Sequence, residues 1–367
     1  MGREKALFVV NSVYQLLTAV HLRRCLPEGW EGELLLTDLL PEHQALACRG
    51  EETGVFSRVL LGKARELQER CHLNRPQELE EVFGEGEKAL LAAVEGELGD
   101  YSQVYFANCD ALTRLLACRY YHSPTRFFWF EDGFSSYVID YLREDRAAAN
   151  CHREGRKLRD KLHAALLYRP DYALRGDGVR NLPLPPLPAG DLALLEILDH
   201  LFQYRPLDIP EDVVFLEQSF RAENIPCNDL ELMELCRQAL GPGRFLVKPH
   251  PRNGENLAAE KGLSRPWKDS VPWELYLLHG DCREKTVVTV CSNGALTGRL
   301  ALCPPSGERT VLLYRLFEGK VLWKEDALLH QYLERFRREF QGRGVLVPQT
   351  RAQLEDLWDK EATACGR

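Results

Sequence analysis

Short apolar runs recur along this chain at the spacing of a strand–helix repeat, and most of them stop abruptly at a polar residue. Residues 6–10, 33–37, 58–61, 103–107 and 127–130 read as strands in the first half. Residues 213–216, 245–248, 286–290 and 311–314 read as strands in the second. Runs that are apolar throughout belong to strands buried on both faces, as in parallel sheets. Helical stretches lie between them. Residues 14–22 form one behind a Ser12 cap, 76–98 are rich in Glu, Leu and Ala, and 110–121 can be capped by Asp110. Further on, 229–240 end at Gly241, a helix enters at Glu274 behind Pro272, and 328–340 and 353–360 close the chain. Strands alternating with helices argue for doubly wound α/β sheets.

A chain of 367 residues is too long for one ordinary core. Between residues 182 and 190 stand four prolines, Pro183, Pro185, Pro186 and Pro188, the signature of a stiff, extended segment. The expected organisation is a Rossmann-like domain over 1–181, a proline-rich linker region over 182–211, and a second Rossmann-like domain over 212–367. The two would face each other across a cleft.

Net charge is −8, so the overall field does not favour nucleic acid, and a phosphate-bearing ligand needs a local basic site. The twelve cysteines form no Cys-x-x-Cys pair and no zinc spacing, which points to a reduced, cytoplasmic protein without a disulfide framework. The opening apolar run is too short for a signal peptide, and no run approaches the roughly 18 residues of a membrane span. Residues 140–172 carry Arg143, Arg146, Arg153, Arg156, Lys157, Arg159, Lys161 and Arg169. The plain reading is a solvated helix face; the sharper one is a surface that meets anionic lipid or glycan at the inner face of a membrane.

The chemistry-bearing residues cluster where strands end. Lys248-Pro249-His250-Pro251 follows the strand-like run 245–248. Proline lacks the N–H a ladder needs, so the strand must stop there and hold an imidazole at the carboxyl edge of the sheet, where open α/β sheets bind ligands. A surface turn solvated by its basic residues is the simpler alternative. Glu131-Asp132-Gly133 follows another apolar strand. Two neighbouring carboxylates raise the proton affinity of at least one of them, which suits a general base, and the glycine permits a tight turn. Ser292-Asn293-Gly294 ends a third strand and opens a helix, whose N–H groups suit a phosphate; simple capping is the alternative. Glu274, between these motifs, suits either a helix first turn or the hydroxyls of a ribose. Asn11, Ser12 and Gln15 follow the first strand, either as a cap or as a ligand-contacting loop at the mouth of a cleft.

Taken together, Glu131-Asp132-Gly133, Lys248-Pro249-His250-Pro251 and Ser292 after a strand resemble the shared motifs of the bacterial sialyltransferases. The start, Val9-Val10-Asn11-Ser12-Val13-Tyr14-Gln15-Leu16, and the length look most like glycosyltransferase family 52, the lipooligosaccharide sialyltransferase family. The resemblance implies a GT-B fold, an outline also found in periplasmic-type binding proteins and some epimerases. It implies CMP-sialic acid as donor, a terminal sugar of a cell-surface glycan as acceptor, inversion at the anomeric carbon, no metal or other cofactor, and a homodimer. By motif, Asp132 is the base with Glu131 beside it, and Asp229 is a second candidate for that role. His250 contacts the CMP phosphate and acts as acid, with Lys248, Pro249 and Pro251 around it. Glu274 holds the ribose, and Ser292, Asn293 and Gly294 bind phosphate. Asn11, Ser12, Gln15 and Gly133 line the acceptor side. Where the family has a serine pair, this chain has Ser292-Asn293. Two rival readings share the pattern: a CDP-glycerol glycerophosphotransferase-like enzyme that releases a cytidine nucleotide, and a non-catalytic glycan- or nucleotide-binding protein.

Overall fold

The computed structural model describes residues 4–72, 75–150, 155–241, 243–267 and 271–365, the last seven by backbone alone; Arg153 and Cys151 lie outside them. The first sheet is built from β1 (Lys5–Val10), β2 (Glu31–Thr37), β3 (Arg58–Gly62), β4 (Val94–Glu95), β5 (Gln103–Phe106), β6 (Arg126–Phe130), β7 (Leu162–Leu167) and β8 (Asn181–Pro183). Their order is β4-β3-β2-β1-β5-β6-β7-β8, parallel except for the β3–β4 pair. The chain winds outward from β1 to β3, then returns to place β5 on the other side of β1. The point where the order reverses, between β1 and β5, is the switch point of a doubly wound sheet.

Burial explains the apolar runs. Ala6, Leu7, Phe8, Val9 and Val10 are all at most 2% exposed. On one face Leu7, Val9, Val104, Phe106, Phe127 and Trp129 pack against Leu79, Phe83, Leu112 and Leu116. The other face carries a ladder of rings, with Phe8 on Tyr105 at 4.8 Å and Tyr105 on Phe128 at 5.1 Å. Ring-on-ring pairs across neighbouring strands fix register as well as adding buried area.

The second sheet has the order β11-β10-β12-β14-β15, all parallel. Its strands are β10 (Val213–Leu216), β11 (Phe245–Lys248), β12 (Thr286–Thr289), β14 (Arg309–Leu312) and β15 (Val345–Leu346); a separate ladder pairs β9 (Leu187–Pro188) with β13 (Leu302–Cys303). Here the order reverses between β10 and β12. The compact units are Met1–Pro186 with Asp191–Tyr204, and Leu187–Gly190 with Arg205–Arg367.

Three segments depart from the sequence reading. The proline-rich stretch is not a plain linker: Asn181–Pro183 pairs with β7, Leu187–Pro188 pairs with β13, and the helix Leu192–Phe202 belongs to the first unit. Residues 76–98 are two helices, Pro76–Glu85 and Glu87–Ala93, broken at Gly86 with φ +59° and followed by the antiparallel edge strand β4. The basic stretch is no continuous helix face among the described residues; it contains β7, and several of its cations are fastened locally. Arg143 pairs with Asp145, Arg169 with Asp171, and Lys161 donates to the carbonyls of Tyr121 and Ser123 at 3.2 and 2.8 Å. The ten cysteines whose side chains are described are free thiols, and no helix among the described residues is long and apolar enough to cross a membrane.

Candidate functional site

At the carboxyl edge of the first sheet, polar side chains from four adjacent strand ends form one hydrogen-bonded row. Thr37, at the end of β2, donates its hydroxyl to Asn11 Oδ1 at 2.8 Å. Asn11, just past β1, donates through Nδ2 to Asn108 Oδ1 at 2.9 Å and to Asp110 Oδ2 at 2.7 Å. Gln15 Nε2 also donates to Asn108 Oδ1, at 2.7 Å, while Gln15 Oε1 accepts the Asn11 backbone N–H at 2.7 Å. Asn108 Nδ2 then donates to Asp132 Oδ2 at 3.3 Å. Two donors on Asn108 Oδ1 fix which end of that amide faces Asp132. The row straddles the β1/β5 switch point.

Asp132 and Glu131 occupy different environments. Glu131 is 4% exposed and accepts from the Tyr168 backbone N–H at 3.0 Å and from the hydroxyls of Tyr14, at 3.4 Å, and Tyr137. Burial pushes its carboxyl up to about 7, with the Asp132 charge adding, while those donors pull the other way. Glu131 therefore ties the end of β6 to the segment after β7. Asp132 is only half-buried. Its turn is braced from behind: Asp132 N–H donates to Ser136 Oγ at 2.8 Å, and Arg175 Nε donates to the Ser136 carbonyl at 2.9 Å. Arg175 is itself buried between Asp177, at 2.9 Å, and the Trp129 ring, at 4.8 Å. Gly133 has φ +77°, the left-handed geometry that the turn requires.

Asn11, Ser12 and Gln15 were expected to contact an acceptor, and the structure gives them another task. Both amide protons of Asn11 are committed inside the protein, Gln15 is 1% exposed, and Ser12 Oγ caps the helix Val13–Cys25 by accepting from Gln15 N–H at 3.2 Å. Asn11 and Gln15 are members of the row, and Ser12 caps the helix behind it. Asn108 and Thr37 escaped the sequence reading. Asn108 follows an apolar strand just as Asn11 does, so the local signal was present; that β1 and β5 are neighbours was not.

The carboxyl edge of the second sheet is built around the Pro-His-Pro elbow. Glu217, just past β10, accepts from His250 backbone N–H at 2.9 Å and from Asn253 Nδ2 at 2.8 Å, and forms an ion pair with Arg221. Gln218 Oε1 accepts the Cys291 N–H at 2.8 Å, linking β10 to the turn after β12. Glu217 and Gln218 thus hold the ends of β11 and β12 on either side of β10. His250 Nδ1 accepts from Arg252 N–H at 3.2 Å, which puts the proton of the neutral ring on Nε2. Burial, with Arg252 adding, lowers its pKa to about 4, so the ring is neutral near pH 7.

Ser292 holds the N-cap position of the helix Asn293–Leu300, but its side chain makes no capping bond. Gly294 lets that helix approach closely: a Cβ there would lie 3.1 Å from Leu216 Cδ1 and 3.2 Å from Trp273 Cδ1. Glu274, next to Trp273 in the helix Trp273–His279, is buried; burial raises its carboxyl and Lys248 opposes the rise. Lys248 Nζ lies 4.8 Å from the centre of the Trp267 ring. Lys248 thus acts on Glu274, and Trp273 beside Glu274 meets Gly294. Asp229 is not available as a base. It is 4% exposed, pairs with Arg221 at 3.0 Å, and accepts from Cys227 Sγ at 3.2 Å. Among the described residues no group of three or more His, Cys, Asp or Glu could hold a metal ion.

No protein-family model matches the chain, and no curated protein matches it. Solved structures do. A spinosyn rhamnosyltransferase, SpnG, complexed with thymidine diphosphate, has a TM-score of 0.50 at 16% identity, over 99% of this chain and 92% of that one. TcCGT1 in complex with UDP has a TM-score of 0.48 at 11% identity, over 97% and 90%. MurG of Acinetobacter baumannii has a TM-score of 0.45 at 8% identity, over 99% and 91%. Likeness at such identity speaks for the fold alone. Two open parallel α/β sheets in one chain, each with its own switch point, and a match along nearly the whole length of a nucleotide-bound rhamnosyltransferase give this chain the GT-B glycosyltransferase fold.

Proposed function

We propose that this protein is an inverting sialyltransferase that moves sialic acid from CMP-sialic acid to a terminal sugar of a cell-surface glycan such as lipooligosaccharide. The first unit would hold the acceptor and the second the nucleotide sugar. The observation that supports the reading is the carboxyl edge of the second sheet: Lys248 and His250 follow β11, the helix Asn293–Leu300 starts after β12, the two strands flank β10, and the buried Glu274 feels the charge of Lys248.

Each group has a task that its environment suits. Asp132 takes the proton of the acceptor hydroxyl as that oxygen attacks the anomeric carbon. The bond from that carbon to the phosphate oxygen breaks, and its electron pair leaves with CMP. Charge on the departing phosphate meets Lys248 and the N–H groups at the helix start. His250 meets it first as a neutral Nε2–H donor. The phosphate's own negative charge raises the proton affinity of the ring, which the acid role requires. Glu274 suits the paired hydroxyls of a ribose.

A thermal-shift screen with CMP, CDP, UDP and GDP tests the donor class. A ligand at a hundred times its Kd stabilises the native state by about 2.7 kcal/mol. CMP is expected to raise Tm by several degrees and UDP and GDP by none. Turnover is then followed as CMP released from CMP-sialic acid. Stabilisation by CDP alone, with turnover of CDP-glycerol, would replace this reading with the glycerophosphotransferase. Stabilisation by CMP with no turnover of either donor, in a protein that binds glycans, would replace it with a binding module.

A further inference from the structure

We infer that Asn108 is a positioning residue that holds the Asp132 carboxylate in its reactive orientation, through the row Thr37–Asn11–Asn108–Asp132 across the ends of β2, β1, β5 and β6. The inference rests on the reading of Asp132 as the base, and on geometry that stands without it.

The row is directional. Thr37 is fully buried and donates to Asn11; Asn11 donates to Asn108 and Asp110; Asn108 donates to Asp132. Asp110 is anchored in turn by Thr113 N–H at 2.8 Å, as the cap of the helix Ala111–Arg119. Each amide has its oxygen satisfied on one side and its N–H groups aimed toward the next member. A base that must meet a hydroxyl at one angle needs its carboxylate plane fixed, and a misplacement of about 1 Å can cost about 100-fold in rate. A part-buried, amide-built row fixes that plane with neutral donors.

Asn108→Asp is the test substitution. It keeps the shape and the oxygen that accepts from Asn11 and Gln15, and it replaces the N–H that faces Asp132 with a like charge. With CMP-sialic acid and lactose as substrates, kcat is expected to fall 30-fold or more while the donor KM stays within two-fold. In an Asp132→Asn background the same change is expected to alter residual turnover less than two-fold, because Asn108 acts only through Asp132. A second readout needs no turnover. In protein labelled with 13C at the aspartate carboxyl, the Asp132 resonance is identified by its loss in Asp132→Asn. Its titration midpoint is expected to move up by about one pH unit in Asn108→Asp. Normal turnover by Asp132→Asn would sink the base reading, and the titration would still judge the positioning. An inactive Asp132→Asn, together with an Asn108→Asp protein unchanged in kcat and in titration, would sink the inference alone. A multiplicative loss in the double variant would show a general structural role and overturn it as well.

Discussion

At the end of β1 and at the end of β10 the backbone does the same thing: it leaves a central parallel strand beside the point where the strand order reverses. The side chains that meet it there are of opposite kinds. The first sheet's edge is acidic, with Asp110, Glu131 and Asp132 held by amides, hydroxyls and backbone N–H groups. The second presents Lys248, His250 and a helix start, and its acids are buried as clamps, Glu217 on the elbow and Glu274 beside Lys248. On the proposed reading, one edge takes up a proton and the other receives a phosphate. Topology supplies the location, and the residue that follows each strand supplies the sign.

The sharpest way to break the comparison is to remove the clamp of the second edge. Glu217→Ala takes from Arg221 one of its two carboxylate partners and leaves the His250 N–H without its acceptor, while Asp229 stays on Arg221 and the Gln218 carbonyl stays on the Asn253 amide. Leaving that N–H unpaired and weakening the ion pair costs about 1–3 kcal/mol. A fall in Tm of several degrees is expected, with loss of CMP-dependent stabilisation. A variant that melted within 1 °C of wild type and still bound CMP would show that the elbow holds itself.

Acid separates the edges next, because it acts on them with opposite signs. Glu131 titrates at about 7 in the folded protein against an ordinary 4.5, so the native state holds the proton more tightly than the unfolded chain. Its contribution rises as pH falls from about 7 to 4.5, by up to about 3 kcal/mol. His250 goes the other way. Its pKa is about 4 in the folded protein against an ordinary 6.5, so the stability it lends is present above 6.5 and is lost as pH falls toward 4. Glu131→Gln is therefore expected to lose more Tm than wild type between pH 7.5 and 5.5, and His250→Gln to lose less. Calorimetry at the two pH values reads both, and equal slopes in all three proteins would refute the assignment.

Much of this plan was legible in the sequence, and the exceptions have physical causes. The central strands are apolar throughout because both faces are covered, and a continuous run survives any choice of register. Strands β4, β8, β9, β13 and β15 are two or three residues long, too short to carry a period. β7 was hidden by the charges around it, which turned out to fasten loops rather than to coat a helix. At the sites, Asp132, His250 and Ser292 stood out because each follows an apolar run. Asn108 gives the same signal, but its importance depends on β5 lying beside β1, a matter of strand order that local pattern does not encode. The directions of Asn11 and Gln15 were equally out of reach: the sequence puts them at an edge and leaves open whether they face a ligand or one another.

The smallest expected effect compares the two turn glycines. Gly133→Ala forces a Cβ into φ +77°, a penalty of about 1–2 kcal/mol in the backbone itself. Gly294 carries no such φ; its Cβ would instead press on Leu216 and Trp273 at 3.1 and 3.2 Å. Both neighbours are buried, so relief requires the helix start to move by a few tenths of an ångström, at a cost of about 1 kcal/mol. The stability losses should be alike, and the functional losses should not. A shift at Asn293–Gly294 moves the N–H groups proposed to hold phosphate, so Gly294→Ala should weaken CMP binding several-fold by calorimetric titration. Gly133→Ala should leave CMP affinity within two-fold and lower kcat instead, because its turn carries Asp132. Equal loss of CMP affinity in both variants would mean that the division of labour between the edges is not as drawn.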